Sequence, residues 1–227
     1  SRAWSGDPRP TIAAAKAVNA KDASVQDASV QDASVQDASV KAASVKVADV
    51  RLSDCRGRWW QLSDFENSKV VVIAFLGVEC PLAKLYSQRL SQFDAEFADH
   101  DVAFVGVDAN PQDSLTELAA HARRHNIEFP LVRDGDQQLA SALGAARTPE
   151  VFVLDRQRRV RYHGRIDDQY GIGYVRDRPQ SQALRDAIES LLADRAILVG
   201  HEPAVGCLIG KPKQAATASP APITYSK

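Results

Sequence analysis

The 227-residue sequence contains no methionine, only three cysteines and few aromatic residues, which make up 7% of it. Three widely spaced cysteines are too few for a disulfide-stapled scaffold. No charge of one sign predominates, since 28 basic and 29 acidic residues give a formal net charge of -1. This balance argues against a nucleic-acid-binding protein, which normally carries a basic excess. The longest apolar run, residues 70–78, has the length of a buried strand and is too short to span a membrane.

Residues 1–46 differ in composition from the rest of the chain. They contain the repeats DASVQ, DASVK and AASVK, in which valine recurs every five residues. This step forms no apolar stripe on a helix and alternates between the two faces of a strand. We therefore expect a flexible spacer. A neutral repeat expansion without a role is the alternative.

The missing initiator methionine indicates a processed or trimmed chain, so the absence of a signal peptide or anchor from this sequence decides nothing about location. The spacer would then tether the domain to a membrane or to other domains. These features favour an exported or periplasmic location over a cytoplasmic one. A cytoplasmic fragment of a larger chain is the alternative.

The pattern predicts one folded domain at 47–200, followed by a segment at 201–227 with an apolar island around Cys207 and a Pro/Ala-rich tail. Predicted strands cover 47–52, 58–62, 69–76, 102–107, 129–132, 150–154 and 160–163. Predicted helices cover 81–98, 114–125, 137–143 and 180–193. This alternation indicates an α/β domain with a mixed central sheet flanked by helices.

Cys80 is the main candidate for chemistry, because it stands where the strongest strand ends and a long helix begins. Pro81 is typical of the first helical position, so Cys80 is expected at the N-cap. The free amides and the positive end of the helix dipole lower the pKa of a thiol there. Glu79 would oppose this effect if it pointed inward. The alternative for Cys80 is an inert, buried cysteine.

A second feature is the dipeptide Thr148-Pro149, which directly precedes the strand predicted at 150–154. Proline is tolerated at the first residue of a strand. An X-Pro bond in this position is also a candidate for the cis isomer. The alternative is a trans bond at a simple strand start.

The segments VVVIAFLGVECPLAKLY, FVGVDAN, FPLVRD and GAARTPEVFVLD, in this order, resemble the thioredoxin-like superfamily. They are most similar to its redoxin branch, the alkyl hydroperoxide reductase and thiol-specific antioxidant relatives of peroxiredoxins. The resemblance covers about residues 47–195. It implies a thioredoxin-like fold, with Cys80 as the redox residue and Pro149 as a cis-proline that faces it and shapes the substrate groove.

The sequence departs from both subtypes of this superfamily. A thioredoxin-type dithiol has the pattern Cys-x-x-Cys, whereas Ala83 stands at the second cysteine position. Typical peroxiredoxins carry Thr or Ser three residues before their cysteine, where Gly77 stands here. Arg147 is a candidate for the cation that a peroxidatic thiolate needs, and its alternative is a solvated loop arginine.

Cys207 would act as a resolving thiol if its apolar island folded back over the groove to Cys80. Its alternative is a packing role in a terminal apolar patch. Cys55, in a predicted turn, is expected to be incidental, although it is a second possible partner for Cys207. A copper or zinc site formed by Cys80, His201 and Cys207 lacks a tight ligand cluster. His121 and His125, four residues apart, are expected on a solvated helix face rather than as metal ligands.

These observations predict a thiol-based oxidoreductase with Cys80 as the nucleophile. The reaction is expected to be peroxiredoxin-like peroxide reduction or thiol–disulfide exchange, without an organic cofactor or a metal. Its partners would be a peroxide or disulfide substrate and an external dithiol reductant such as a thioredoxin, and no nucleic acid. The alternatives are a non-catalytic thioredoxin-like binding module tethered by the spacer, and a metal-handling domain that uses Cys80.

Overall fold

The computed structural model describes residues 46–211, so the predicted spacer, apart from Lys46, and the Pro/Ala-rich tail, apart from Lys211, lie outside the described residues. The strands are β1 (Leu52–Asp54), β2 (Trp59–Trp60), β3 (Val70–Phe75), β4 (Val102–Asp108), β5 (Leu131–Arg133), β6 (Arg147–Thr148), β7 (Glu150–Leu154), β8 (Val160–Gly164), β9 (Tyr170–Gly171), β10 (Tyr174–Val175), β11 (His201–Glu202) and β12 (Cys207–Leu208). The helices are α1 (Pro81–Phe97), α2 (Leu115–Arg124), α3 (Gln138–Leu143) and α4 (Ala183–Leu192), with a 3-10 turn at Leu62–Phe65.

Eight strands form the central sheet, in the order β11-β8-β7-β3-β4-β5-β1-β2. Strands β3, β4 and β5 are parallel to one another. Strands β7 and β8 are antiparallel, and β7 pairs with β3 along five registered residue pairs. The sheet is therefore mixed and flanked by helices, as the sequence predicts. Because β3 and β4 are parallel, the segments that follow them meet at the same edge of the sheet.

Strand β3 supplies the centre of both hydrophobic cores, because its side chains alternate between the two faces of the sheet. Val72 belongs to the core that α1, α2 and α4 cover, and Ile73 belongs to the core that α3 and the 3-10 turn cover. All six residues of β3 are buried. This continuous burial explains the uninterrupted apolar run and fixes the strand that leads to Cys80.

The first two strand predictions were displaced. The strand expected at 47–52 does not form as a ladder. The chain makes one isolated bridge, between Lys46 and Arg159, and one bond from the Val47 amide to the Arg158 carbonyl oxygen, and the first ladder starts at Leu52. The Asp54 carboxylate accepts hydrogen bonds from the amides of Arg56 and Arg58, which fixes the turn after β1. The strand expected at 58–62 ends at Trp60, where the chain enters the 3-10 turn.

The chain beyond residue 200 contributes to two sheets. Strand β11 adds a parallel edge to β8, and β12 forms a two-stranded antiparallel ladder with β6. We call residues 206–210 the strap, because they cross the carboxyl edge of the central sheet. Among residues 46–211, no helix is long and apolar enough to cross a membrane.

Candidate functional site

Cys80 is the N-cap of α1, and Pro81 occupies the first helical position, which confirms the predicted strand-to-helix corner. Cys80 is buried, with an exposed fraction of 4%. Its side chain makes no capping hydrogen bond to the first turn of the helix. Glu79 points outward, with 82% of its side chain exposed, and forms an ion pair with Lys84 at 3.7 Å. The carboxylate therefore does not oppose ionisation of the thiol from within the site.

The Thr148-Pro149 peptide is cis, as the sequence suggested. Thr148 is buried, and its carbonyl oxygen accepts a hydrogen bond from Cys80 Sγ at 2.9 Å. Glu150 stabilises this bend, because its carboxylate accepts hydrogen bonds from the amides of Ala146 and Arg147. The cis bend and the redox candidate thus lie in direct contact.

Cys207 reaches the same place from the strap. In the ladder between β6 and β12 it lies opposite Thr148, and Leu208 lies opposite Arg147. The strap approaches the cis bend closely, because a Cβ on Gly206 would lie 2.0 Å from the Thr148 carbonyl oxygen. A glycine is therefore required before Cys207 in this arrangement. Cys207 is exposed, whereas Cys80 is buried beside it, and both are free thiols.

The pKa values of the two thiols are shifted in opposite directions. Burial opposes ionisation of Cys80, but hydrogen bonds from the side chains of Cys207 and Thr148 outweigh it and lower the pKa of the Cys80 thiol. The same interaction with Cys80, together with partial burial, raises the pKa of the Cys207 thiol to about 11. Cys80 is therefore the first of the pair to form a thiolate, and Cys207 holds its proton as the donor.

Arg147 contacts the strap in this structure. Its side chain is exposed, and one guanidinium nitrogen donates to the Gly206 carbonyl oxygen at 3.0 Å. The groups that lower the pKa of Cys80 most are neutral hydrogen-bond donors rather than this guanidinium. The role of Arg147 as a cation for the thiolate remains a prediction.

Gly77 is enclosed by polar side chains. A Cβ at this position would lie 2.6 Å from Asn110 Nδ2 and 3.2 Å from Thr148 Oγ1. A larger residue at position 77 would therefore collide with the amide of Asn110. The hydroxyl that residue 77 lacks is present on Thr148, beside Cys80.

Cys55 lies elsewhere in the sheet. It follows β1, which is three strands away from β3, or about 14 Å at the usual spacing between strands. A disulfide requires Cα atoms within about 7 Å, so this fold brings Cys80, and not Cys55, to Cys207. Within residues 46–211, no cluster of three or more His, Cys, Asp and Glu side chains is arranged to hold a metal ion.

The expectation of a solvated helix face for His121 is wrong. Its imidazole is buried with an exposed fraction of 3%, and Nε2 is 2.9 Å from Ser87 Oγ. Burial lowers the pKa of His121 to about 4, assisted by the neighbouring His125. The helical turn that carries it packs toward α1 rather than toward solvent.

Sequence reasoning missed a buried polar cluster beside the thiols. It consists of Asp108, the last residue of β4, and of Asn110 and Asp113, which follow it. Burial and the neighbouring Asp113 raise the pKa of Asp108 to about 8. The sequence pattern that could have revealed this cluster is the run of polar residues at the end of a buried strand. Because that strand is parallel to β3, the polar residues lie at the same sheet edge as Cys80.

A cysteine at a helix N-cap, in contact with a cis-proline bend on a mixed sheet, defines a thioredoxin-like protein with a thiol function. The family model described as AhpC/TSA family matches residues 41–163, more than half of the chain. The chain belongs to this family. Among curated proteins, none matches it.

Solved structures agree on the fold. A hypothetical protein from Sinorhizobium meliloti is 30% identical, with a TM-score of 0.69 over 75% of this chain and 94% of that one. An uncharacterized conserved protein from Geobacillus kaustophilus is 26% identical, with a TM-score of 0.69 over 75% of this chain and 93% of that one. The thioredoxin domain of a thiol-disulfide oxidoreductase from Bacteroides vulgatus is 13% identical, with a TM-score of 0.51 over 66% of this chain and 98% of that one. At that identity the last likeness concerns the fold alone.

Proposed function

We propose that this protein is a two-cysteine thiol peroxidase, in which Cys80 is the nucleophile and Cys207 is the resolving thiol. The observation that carries the proposal is the pairing of β12 with β6, which sets an exposed, protonated Cys207 against a buried Cys80 of lowered pKa. Family membership supports a thiol reaction. The assignment of the two cysteines rests on their geometry.

The first step is attack of the Cys80 thiolate on a peroxide oxygen. The O–O bond breaks, Cys80 becomes a sulfenic acid, and the leaving oxygen takes a proton and departs as water or an alcohol. The burial of Cys80 under the strap favours a small oxidant over a bulky disulfide. The Thr148 hydroxyl, a donor to Cys80, is also positioned to serve an oxygen bound at that sulfur.

The second step joins the two sulfurs. Once Cys80 is a neutral sulfenic acid, the charge that holds the proton on Cys207 is gone, and the pKa of Cys207 falls back toward its ordinary value. The Cys207 thiolate attacks Cys80 Sγ, a disulfide forms, and the sulfenic oxygen leaves as water. Two electrons have then passed from the two thiols to the peroxide.

The third step restores the dithiol. An external dithiol such as a thioredoxin attacks Cys207 Sγ, the exposed sulfur, and Cys80 leaves as the thiolate. Thiol–disulfide exchange is fastest when the leaving thiol has the lower pKa, which is the property of Cys80. The second thiol of the reductant releases Cys207 and takes up the oxidation.

The proposal is tested by peroxide consumption with a thioredoxin system as the reductant. The parent chain and a Cys55→Ser control should turn over equally. Cys80→Ser should lose at least 100-fold in rate, about the effect of removing a nucleophile. Cys207→Ser should oxidise once and then stall with that reductant. Parent-level turnover by Cys80→Ser would overturn the assignment.

Thiol–disulfide exchange is the second candidate, because the dithiol pair lies beside the cis-proline bend. It predicts that the reduced chain reduces the disulfides of insulin faster than it reduces hydrogen peroxide at equal concentrations. A tethered binding module without catalysis predicts neither reaction, and Cys80 would then alkylate no faster than an ordinary thiol.

A further inference from the structure

A buried amide connects the two segments that carry the thiols. Asn110 follows β4, and its exposed fraction is 6%. A buried polar side chain is costly unless its hydrogen bonds are made, so its partners show what the position requires. One partner, Asp113, also binds the loop before Cys80, and the other partner, Gly210, belongs to the strap.

The first arm runs to the Cys80 loop. Asn110 Nδ2 donates to Asp113 Oδ2 at 3.2 Å, and the same carboxylate oxygen accepts from the Val78 amide at 3.2 Å. Val78 lies two residues before Cys80. The amide also fills the space beside Gly77 that a side chain there would occupy. Asn110 therefore supports the backbone that aims Cys80 into the site.

The second arm runs to the strap. The Gly210 amide donates to Asn110 Oδ1 at 3.2 Å, three residues beyond Cys207. The carbonyl oxygen of Gly210 accepts from Gln137 Nε2, which also donates to the Ala109 carbonyl oxygen at 2.8 Å. Asn110 thus binds the amide of Gly210, and Gln137 binds its carbonyl oxygen.

The orientation of the Asn110 amide follows from its partners. A backbone N–H can only donate, so the atom facing Gly210 is the oxygen, and the nitrogen then faces the Asp113 carboxylate. An aspartate at position 110 would keep the acceptor and lose the donor. It would also set a second carboxylate against Asp113, so only a carboxamide serves both arms.

We infer that Asn110 is a positioning residue that couples Cys80 to Cys207, holding the Cys80 loop and the strap in register for disulfide formation. This inference rests on the proposed function for the role of the disulfide. Gln137 links the strap to the Ala109 carbonyl oxygen, whereas Asn110 links the strap, through Asp113, to the Cys80 loop. The difference between these two residues makes the inference testable.

The experiment compares Asn110→Ala, Asn110→Asp and Gln137→Ala, with folding checked by circular dichroism. One readout is the rate of alkylation of Cys80 by iodoacetamide in a Cys207→Ser background, with Cys55 also changed to serine. The other is the equilibrium between the Cys80–Cys207 dithiol and disulfide in glutathione buffers, measured on chains that keep both cysteines.

Asn110→Ala should change both readouts by about 3- to 10-fold, the effect of one or two buried hydrogen bonds. Gln137→Ala loosens the strap without touching the Cys80 loop, so it should shift the glutathione equilibrium more than it changes alkylation. Asn110→Asp keeps the acceptor for Gly210, so it should change alkylation more than it changes the equilibrium. A merely structural role would lower the stability of the fold without producing this split.

The inference is overturned if Asn110→Ala leaves alkylation at the parent rate, or if its pattern matches that of Gln137→Ala. If Asn110→Ala does not fold, the nearly isosteric Asn110→Asp provides the test. The inference then requires that Asn110→Asp change the alkylation rate more than the glutathione equilibrium. If the parent chain forms no Cys80–Cys207 disulfide, Cys207 is not a resolving thiol, and the inferred coupling of the two cysteines is overturned together with the proposed function. The alkylation readout then still measures the arm to Cys80 separately.

Discussion

Cys207 lies directly opposite Thr148 across the two-residue ladder of β6 and β12. This register brings a thiol from the end of the described chain to the carbonyl that Cys80 also contacts. The fold therefore supplies a second thiol from a separate strand, where the Cys-x-x-Cys pattern would supply it from the same helix. The pairing makes the acidities of the two thiols depend on each other.

Replacement of one thiol should change the acidity of the other. Cys207→Ala removes a hydrogen-bond donor from the Cys80 sulfur, so the pKa of Cys80 should rise. Cys207→Ser keeps a hydroxyl donor and should raise it less. Conversely, Cys80→Ala should lower the pKa of Cys207 from about 11 toward the ordinary thiol value. Thiolate absorbance at 240 nm against pH measures both, and unchanged midpoints would contradict the pairing.

Gly206→Ala should displace the strap. The added Cβ would meet the Thr148 carbonyl oxygen, so β12 must move away from β6. Overpacking of this kind typically costs 1–3 kcal/mol, and we expect closure of the Cys80–Cys207 disulfide to slow about tenfold or more. Gly200→Ala is the matched control, because its Cβ would find ordinary contact at 3.5 Å. Equal closure rates in the two variants would show that the strap does not carry the resolving thiol.

Asp108 should make the protein less stable as the pH rises. Its pKa is about 8 in the fold, against an ordinary value of 3.8, so the folded state binds the proton more tightly than the unfolded state. The resulting stabilisation is complete below about pH 4 and is lost as the pH rises toward 8. Asp108→Asn should remove this dependence. Urea unfolding midpoints of the parent chain and of Asp108→Asn, measured across this pH range, test the prediction. An equal dependence of the midpoint on pH in the two proteins would contradict it.

His121 should act in the opposite direction. Its pKa is about 4 in the fold and 6.5 as the ordinary value, so the unfolded state binds the proton more tightly. The stabilisation from the neutral ring is present above about pH 6.5 and is lost as the pH falls toward 4. His121→Gln should weaken this acid sensitivity, while the exposed His100→Gln should retain it. Equal acid sensitivity of the two variants would mean that His121 is not buried as a neutral ring.

Local signals were sufficient to predict the corner that holds Cys80. The apolar run of β3 and the Cys80-Pro81 step fix a strand, an N-cap and a helix start without reference to the rest of the chain. The position of Thr148-Pro149 before β7 likewise follows from the rule for proline at strand starts. These elements depend on backbone restrictions that are written in neighbouring residues.

The strap and the buried cluster could not be predicted in the same way. Strand β12 has two residues, too few for any periodicity, and its place depends on Gly206, Asn110 and Gln137, which are distant in sequence. The burial of His121 depends on the packing of α2 toward α1, which a helical spacing alone does not reveal. Contacts between distant segments decided what the local pattern left open.

The most direct test of the account is peptide mapping by mass spectrometry after one equivalent of hydrogen peroxide is added to the fully reduced chain. Each of Cys55, Cys80 and Cys207 is scored as free, sulfenic or disulfide-bonded. The account predicts a Cys80–Cys207 disulfide with Cys55 still free, and a trapped Cys80 sulfenic acid in Cys207→Ser. A Cys80 that remains free while peroxide persists, or a disulfide that joins Cys207 to Cys55, would contradict it.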